Sequence, residues 1–427
     1  MILFLTTADT EILALSHAVR RLPAGFPPVR AANPAHLGEP GALAALLDCI
    51  VAPGAVVVRL LGGRRVFEAG FEALRARCAA AGVPLVACPG DQQPDLELAA
   101  ACTAPPEVVD TVYRYLLHGG VANLEQLLRY LADRLLGRPT PHTPPRELPW
   151  EGVYHPDAPA EFALADYLAR HCASGRPTIG LLFYRAHWMS GNLAFVDALI
   201  RAIEAEGANV LPVYCYSLKD EEAAATGLPR VFRRFLLDEA GRPRVDAVIN
   251  TLSFALGRGA PAPLSPGGRE ARGEGDGDSA DWAAACLARL NVPFLQAVNA
   301  TSPRAQWEAS AGGLSPIDTA MNVALPEFDG RIITVPISFK EAAAHDPLLD
   351  APVQRYVPAP DRIAHLAALA VRWAQLRHLP NAQKRVALVL ANYPSRNARL
   401  GNAVGLDTPS SVINILRALQ RDGYDVR

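Results

Sequence analysis

Short apolar runs, each leading through a polar turn into a helical pattern, recur along this chain and leave few folds open to it. MILFLTT (1–7) is the first such run; ADT is its turn, and Glu11 to Leu22 carries Ile12, Leu15 and Val19 at helical spacing. PTIGLLFY (177–184) is the second. Its helical pattern, Leu193 to Glu206, sets Leu193, Val196, Leu199, Ile200 and Ile203 on one face, with Gly207 where a C-terminal cap belongs and NVLPVYCY as the next strand. RVALVLANYP (385–394) is the third, followed by the loop SRNARLGNAVGLD and a helix opened by Thr408 as cap and Pro409. Further strand-like runs lie at 55–61, 83–89, 246–256, 292–299 and 331–338, and helical patterns at 64–81, 106–136, 281–290 and 315–325. The last of these opens SPID, with Ser315 as cap and Asp318 three residues on. Buried strands alternating with helices predict an α/β fold of successive doubly wound, mostly parallel sheets.

The proline-dense GRPTPHTPPRELPW (137–150) reads as a stiff linker. It divides an N-terminal α/β domain (1–137) from a linker with a connecting helix (138–175) and a second α/β domain (176–380). Residues 257–281, almost without large apolar side chains, read as a disordered insertion in that domain. Residues 381–427 read as the start of a further α/β unit that stops at a strand opening, as in the front portion of a longer polypeptide.

Net charge is −2, which gives no support to binding nucleic acid. Only Lys219, Lys340 and Lys384 among the 41 basic residues are lysines. The seven cysteines form no CxxC pair, as expected of free thiols in a reducing cytoplasm. No segment reads as a signal peptide or a membrane span, so the expected setting is cytoplasmic, without a membrane. GxxxxGKS/T, HExxH and GxSxG are all missing, and no two histidines stand at i, i+4.

The segment GLLFYRAHWMSGN (180–192) places chemistry where an open α/β sheet binds ligands, beyond the carboxyl end of a strand. Arg185 offers a fork for carboxylates, His187 a proton carrier or metal ligand, Trp188 a flat apolar face, and Asn192 a two-way hydrogen bonder. The bland reading makes Trp188 core, Asn192 an N-cap and Arg185 a surface ion pair. The 392–408 loop repeats the pattern with Asn392, Tyr393, Arg396, Arg399, Asn402, Asp407 and Thr408, and is equally readable as a surface loop. After the strand at 292–299, Asn299, Thr301, Arg304, Trp307 and Glu308 form a third cluster, read here as structural wiring before site.

Three ordered blocks carry a family resemblance: PTIGLLFYRAHWMSGNLAFVDALIRAIEAEGANVLPVYCYSLKD, NVPFLQAVNATSPRAQWEASAGGLSPIDTAMNVALPEFDGRIITVPISFK and RVALVLANYPSRNARLGNAVGLDTPSSVINILRALQRDGY. The chain resembles the large subunits of aerobic cobaltochelatase (CobN type), a family related to the H subunit of magnesium chelatase. Phe328 to Ile332 and FYRAH favour the cobalt branch. The resemblance implies a ligase forming nitrogen–metal bonds, which inserts Co²⁺, its substrate, into hydrogenobyrinic acid a,c-diamide during cobalamin synthesis. It also implies two partner AAA+ subunits that bind ATP and Mg²⁺, in keeping with the missing P-loop, and a fragment that is inactive alone. On that reading His187 is a base of near-neutral pKa or a transient cobalt ligand. Arg185, Arg396 and Arg399 hold carboxylates, Trp188 packs on the macrocycle, and Asn192 binds substrate. Two competing expectations are a magnesium chelatase H subunit acting on protoporphyrin and a ligand-binding or scaffold module without chemistry.

Overall fold

A computed structural model describes residues 1–37, 41–90, 95–158, 162–218, 228–256, 285–390, 401 and 405–426. The insertion at 257–281, Arg396 and Arg399 lie outside the described residues. Two sheets organise the chain. The first contains β1 (Ile2–Thr6), β2 (Val29–Ala32), β3 (Ala55–Leu60) and β4 (Leu85–Pro89), all parallel, in the order β2-β1-β3-β4. The second contains β5 (Glu151–Val153), β6 (Thr178–Tyr184), β7 (Asn209–Cys215), β8 (Ala247–Asn250), β9 (Phe294–Ala300), β10 (Ile332–Asp346) and β11 (Ala351–Pro358). Its order is β11-β10-β9-β8-β6-β7-β5, with parallel pairing inside and antiparallel strands at both edges. The doubly wound parallel architecture read from the sequence is therefore present.

Side-chain alternation along the strands explains why both faces are covered. Ile2 and Phe4 pack with residues of helices Asp9–Val19, Pro106–His118 and Val121–Arg134, whereas Leu3 and Leu5 pack with those of Ala42–Asp48 and Glu68–Ala81. Ile179, Leu181 and Phe183 meet helices Ala194–Ala205 and Pro360–His378 on one face of the second sheet, and Leu182 turns to the other. Each fully buried aliphatic or aromatic side chain of this kind contributes about 1.5–3 kcal/mol.

Several elements differ from expectation for identifiable reasons. The 106–136 pattern is two helices, split at Gly119 and Gly120, whose φ values of 64° and 84° no continuing helix accepts. The 246–256 run stops as a strand at Asn250. Beyond it, Leu252 O accepts from Asn250 Nδ2 (2.8 Å) and Gln296 Nε2 (3.0 Å), and Phe254 adopts φ 69°. The 331–338 run continues to Asp346 and returns as β11, because its far half has a second partner. Leu349, Ala351 and Val353 at the hairpin tip join the core of the first sheet, and Ala31 N donates to Leu349 O at 3.0 Å. Asp346, nearly buried, bonds Ser16 and pairs with Arg20 at 2.7 Å.

The third apolar run forms no strand over 385–390. No other strand lies beside it among the described residues, and Val386 and Val389 are 58% and 87% exposed. The helix that follows, Thr408–Arg421, has no buried residue and is capped by Asp407, which accepts from Ser410 N at 3.0 Å, rather than by Thr408. Ser315 is the cap expected, accepting from Asp318 N at 3.1 Å. All seven cysteines are free, and burial pushes the Cys78 thiol up to about 11 and that of Cys88 to about 12. No helix among the described residues is long and apolar enough to cross a membrane.

Candidate functional site

In the first sheet the chain starts on the inner strand β1; in the second, after the edge strand β5, the parallel strands start on the inner strand β6, and each series winds first to one side, then to the other. The topological switch points fall between β1 and β3 and between β6 and β8. The carboxyl ends of both pairs meet in one cleft. Thr7 after β1 and Tyr184 at the end of β6 line two adjoining cavities there, one with mainly apolar walls (the apolar cavity) and one lined mostly by polar residues (the polar cavity).

Residues 185–190 are not the loop that the sequence suggested. No glycine or proline interrupts them, and they form a short helix that ends at Gly191 in a left-handed cap (φ 76°). A helix turns about 100° per residue, so Arg185 and His187 point to different sides. Arg185, with Ala186 and Met189, lines the apolar cavity of about 420 Å³; His187, with Ala186, lines the polar one of about 310 Å³.

Arg185 is 2% exposed. Its Nε donates to Pro149 O (2.8 Å) and its Nη2 to His118 O and Leu148 O (both 3.1 Å), while the guanidinium lies 4.5 Å from the Trp150 ring centroid. Burial brings its pKa down to about 10, which leaves it charged at neutral pH. No carboxylate partners it among the described residues, so the charge is balanced only by carbonyl dipoles and an indole face. The same cavity holds the Glu11–Arg59 ion pair, Tyr216 and the half-exposed Phe254.

His187 is sealed. Its ring stands edge-on to Phe195 (5.0 Å) and Tyr356 (5.5 Å), and its Nδ1 is buried without a partner among the described residues. Burial, then the Lys340 ammonium, lowers its pKa to about 4. This corrects the expectation of a base near neutrality: at pH 7 the imidazole is neutral and a weak proton acceptor. An exposed imidazole titrates near 6.5, so the unfolded chain takes up the proton first. The stability contributed by neutral His187 is complete above about pH 6.5 and is lost as pH falls towards 4, by about 1.4 kcal/mol per unit. His187→Asn is expected to remove this slope. Between pH 7 and 5, urea denaturation should show the parent losing about 2 kcal/mol more than the variant.

Trp188 lines neither cavity. It stacks on Tyr214 at 4.4 Å and 6° and packs against the core of the second sheet, because the helix turns it back towards β7. The reading of Trp188 as a packing residue thus describes its position. Asn192 is buried at the polar cavity, where its Oδ1 accepts from Tyr356 N at 3.1 Å. The third cluster divides: Asn299 and Thr301 reach the polar cavity, while Arg304 pairs with Glu308 (2.8 Å) and Trp307 lies under Arg362 and against Phe339. Sequence reasoning missed Lys340, Asp9 and Asn322, which complete the polar cavity; Lys340 Nζ meets Asp9 Oδ2 at 2.5 Å. Its rarity as a lysine in an arginine-rich chain was the available signal. Among the described residues no group of three or more His, Cys, Asp or Glu could hold a metal ion.

The sequence profile of the CobN/magnesium chelatase family matches residues 113–427. The aerobic cobaltochelatase subunit CobN of Pseudomonas aeruginosa is 37% identical over all of this chain and 32% of its own length. The H subunit of the magnesium chelatase of Rhodobacter capsulatus is 30% identical over 73% of this chain and 25% of its own. The solved catalytic subunit of cobaltochelatase from Mycobacterium tuberculosis superposes with a TM-score of 0.67 at 39% identity, covering all of this chain and 31% of that one. The chain thus spans about a third of the length of the cobaltochelatase subunits it matches. It belongs to the CobN/magnesium chelatase family.

Proposed function

We propose that this chain is part of the large subunit of a cytoplasmic cobaltochelatase, which inserts Co²⁺ into hydrogenobyrinic acid a,c-diamide while two partner AAA+ subunits hydrolyse ATP with Mg²⁺. The carrying observation is the breadth of likeness: similarity to CobN extends over the whole chain, whereas similarity to the magnesium-chelatase H subunit covers 73% at lower identity. A cleft built from two facing switch points supports ligand binding, since helix starts and strand ends there supply unpaired polar groups. Arg185 borders the apolar cavity and its Nη1 has no hydrogen bond among the described residues, which suits one carboxylate of a largely apolar ligand. Arg396 and Arg399 are proposed to hold further carboxylates. Neutral His187 fits a hydrogen-bond acceptor better than the base that takes the two ring protons. Full-length protein, reconstituted with its ATPase partners, is expected to change the absorbance of the corrin diamide only with both Co²⁺ and ATP. Insertion of Mg²⁺ into protoporphyrin instead, or binding of the corrin without any turnover, overturns the reading.

A further inference from the structure

The polar cavity has an imbalance of hydrogen-bonding groups. Asn192, Asn299 and Asn322, from three distant parts of the chain, all line it and are 5%, 8% and 5% exposed. Each spends its Oδ1 within the protein: Asn192 accepts from Tyr356 N (3.1 Å), Asn299 from Ser338 Oγ (2.6 Å) and Asn322 from Ser253 Oγ (2.6 Å). For Asn192 the orientation is forced, because a backbone N–H can meet only the oxygen end of the amide. The three Nδ2 groups have no hydrogen-bond partner among the described residues. Lys340 Nζ, with one bond to Asp9, adds donors to the same space.

The geometry points to a carboxylate-binding site in this cavity, with Asn192, Asn299, Asn322 and Lys340 as donors to the ligand's two oxygens. A metal ion is disfavoured, because amide N–H and ammonium groups repel it, and Asp9, the one carboxylate among the described lining residues, is already bonded to Lys340 (2.5 Å) and Asn33 (2.7 Å). The site's charges cancel, Lys340 against Asp9, which suits a monoanion better than a phosphate dianion. The N-terminus of helix Asp9–Val19 opens on the same space through Ala8 and Thr10, and its dipole favours negative charge. Water can accept from such donors singly; a carboxylate accepts from several at once with charge assistance. The ligand is either a small carboxylic acid or a carboxylate arm of a larger one. The second case rests on the corrinoid reading above; the first does not.

Asn→Asp substitutions isolate the claim, because aspartate keeps the acceptor used inside the protein and replaces only the ligand-facing donor with an anionic oxygen. In the full-length protein, the probes are sodium propionate, propionamide and the corrin diamide, with dissociation constants compared between the parent, Asn192→Asp and Asn322→Ser. The Ser variant removes a donor without adding charge and decides the matter should Asn192→Asp fold poorly. A carboxylate hydrogen-bonded here should bind at least about tenfold more weakly in either variant, with the unfolding midpoint of Asn322→Ser within a few degrees of the parent. Propionate weakened in this way identifies a small acid; the corrin weakened while propionate binds none of the proteins identifies an arm of a larger ligand. Unchanged affinity in both variants, propionamide binding as tightly as propionate, or no binding of any probe to the parent overturns the site. Propionate binding that depends on Asn192 beside a parent that binds no corrin keeps the site and removes the chelatase reading.

Discussion

Arg185→Ala is expected to lower the unfolding free energy by about 3–5 kcal/mol, measured by urea denaturation. The side chain reaches three carbonyls, at His118, Leu148 and Pro149, which belong to the hairpin of helices Pro106–His118 and Val121–Arg134 and to the proline-dense segment 137–150. Truncation strands all three where the guanidinium had excluded water, and also removes the cation from the Trp150 face. Arg185→Lys should recover less than half of the loss, because one ammonium cannot span the carbonyls that a planar fork reaches. A loss below about 1 kcal/mol in the alanine variant would mean the proline-dense segment is held by other contacts. Because Arg185 also borders the apolar cavity, corrin affinity should be compared only at temperatures where the variant is folded.

A second large effect is expected at Asp329. Its carboxylate meets Arg331 Nη2 at 2.7 Å, with side chains 3% and 1% exposed, and accepts from Leu256 N at 2.7 Å. Arg331 in turn donates to Gln296 Oε1 (2.9 Å) and Phe254 O (3.1 Å). Asp329→Ala leaves a buried guanidinium without its counter-charge, at a cost of about 3–5 kcal/mol. Asp329→Leu combined with Arg331→Met should be less destabilised than either single change, since an apolar pair removes both desolvation penalties. A double-mutant cycle that finds the two sites additive within about 0.5 kcal/mol refutes the coupling. The network also holds the backbone around Phe254 in its left-handed conformation, so both single variants should loosen the loop that carries Phe254 to the mouth of the apolar cavity.

What could be read from the sequence follows from how local each signal is. PTIGLLFY and AVVVRLL announce buried strands by composition alone, and Ser315 with Asp318 announces a helix start within four residues. The three family blocks were equally legible. RVALVLANYP misleads because a strand is defined by its neighbour, and residues 385–390 have none among the described residues. RAHWMSGN failed differently. Four functional side chains in eight residues suggested one site, yet a single helical turn sends Arg185, His187 and Trp188 into two cavities and a packed interface. Asn192, Asn299 and Asn322 were unreadable as a set, because only the winding of β6, β8 and β9 brings them together.

The hairpin of β10 and β11 has a consequence for the order of events during synthesis. Ser16 and Asp346, bonded to each other, are 330 residues apart, and Leu349, Ala351 and Val353 complete the packing over Ile2 and Phe4. A ribosome therefore releases the amino-terminal unit long before its last wall exists. Until the tip emerges, that unit displays an oily patch, the kind of surface chaperones recognise and nascent chains aggregate through.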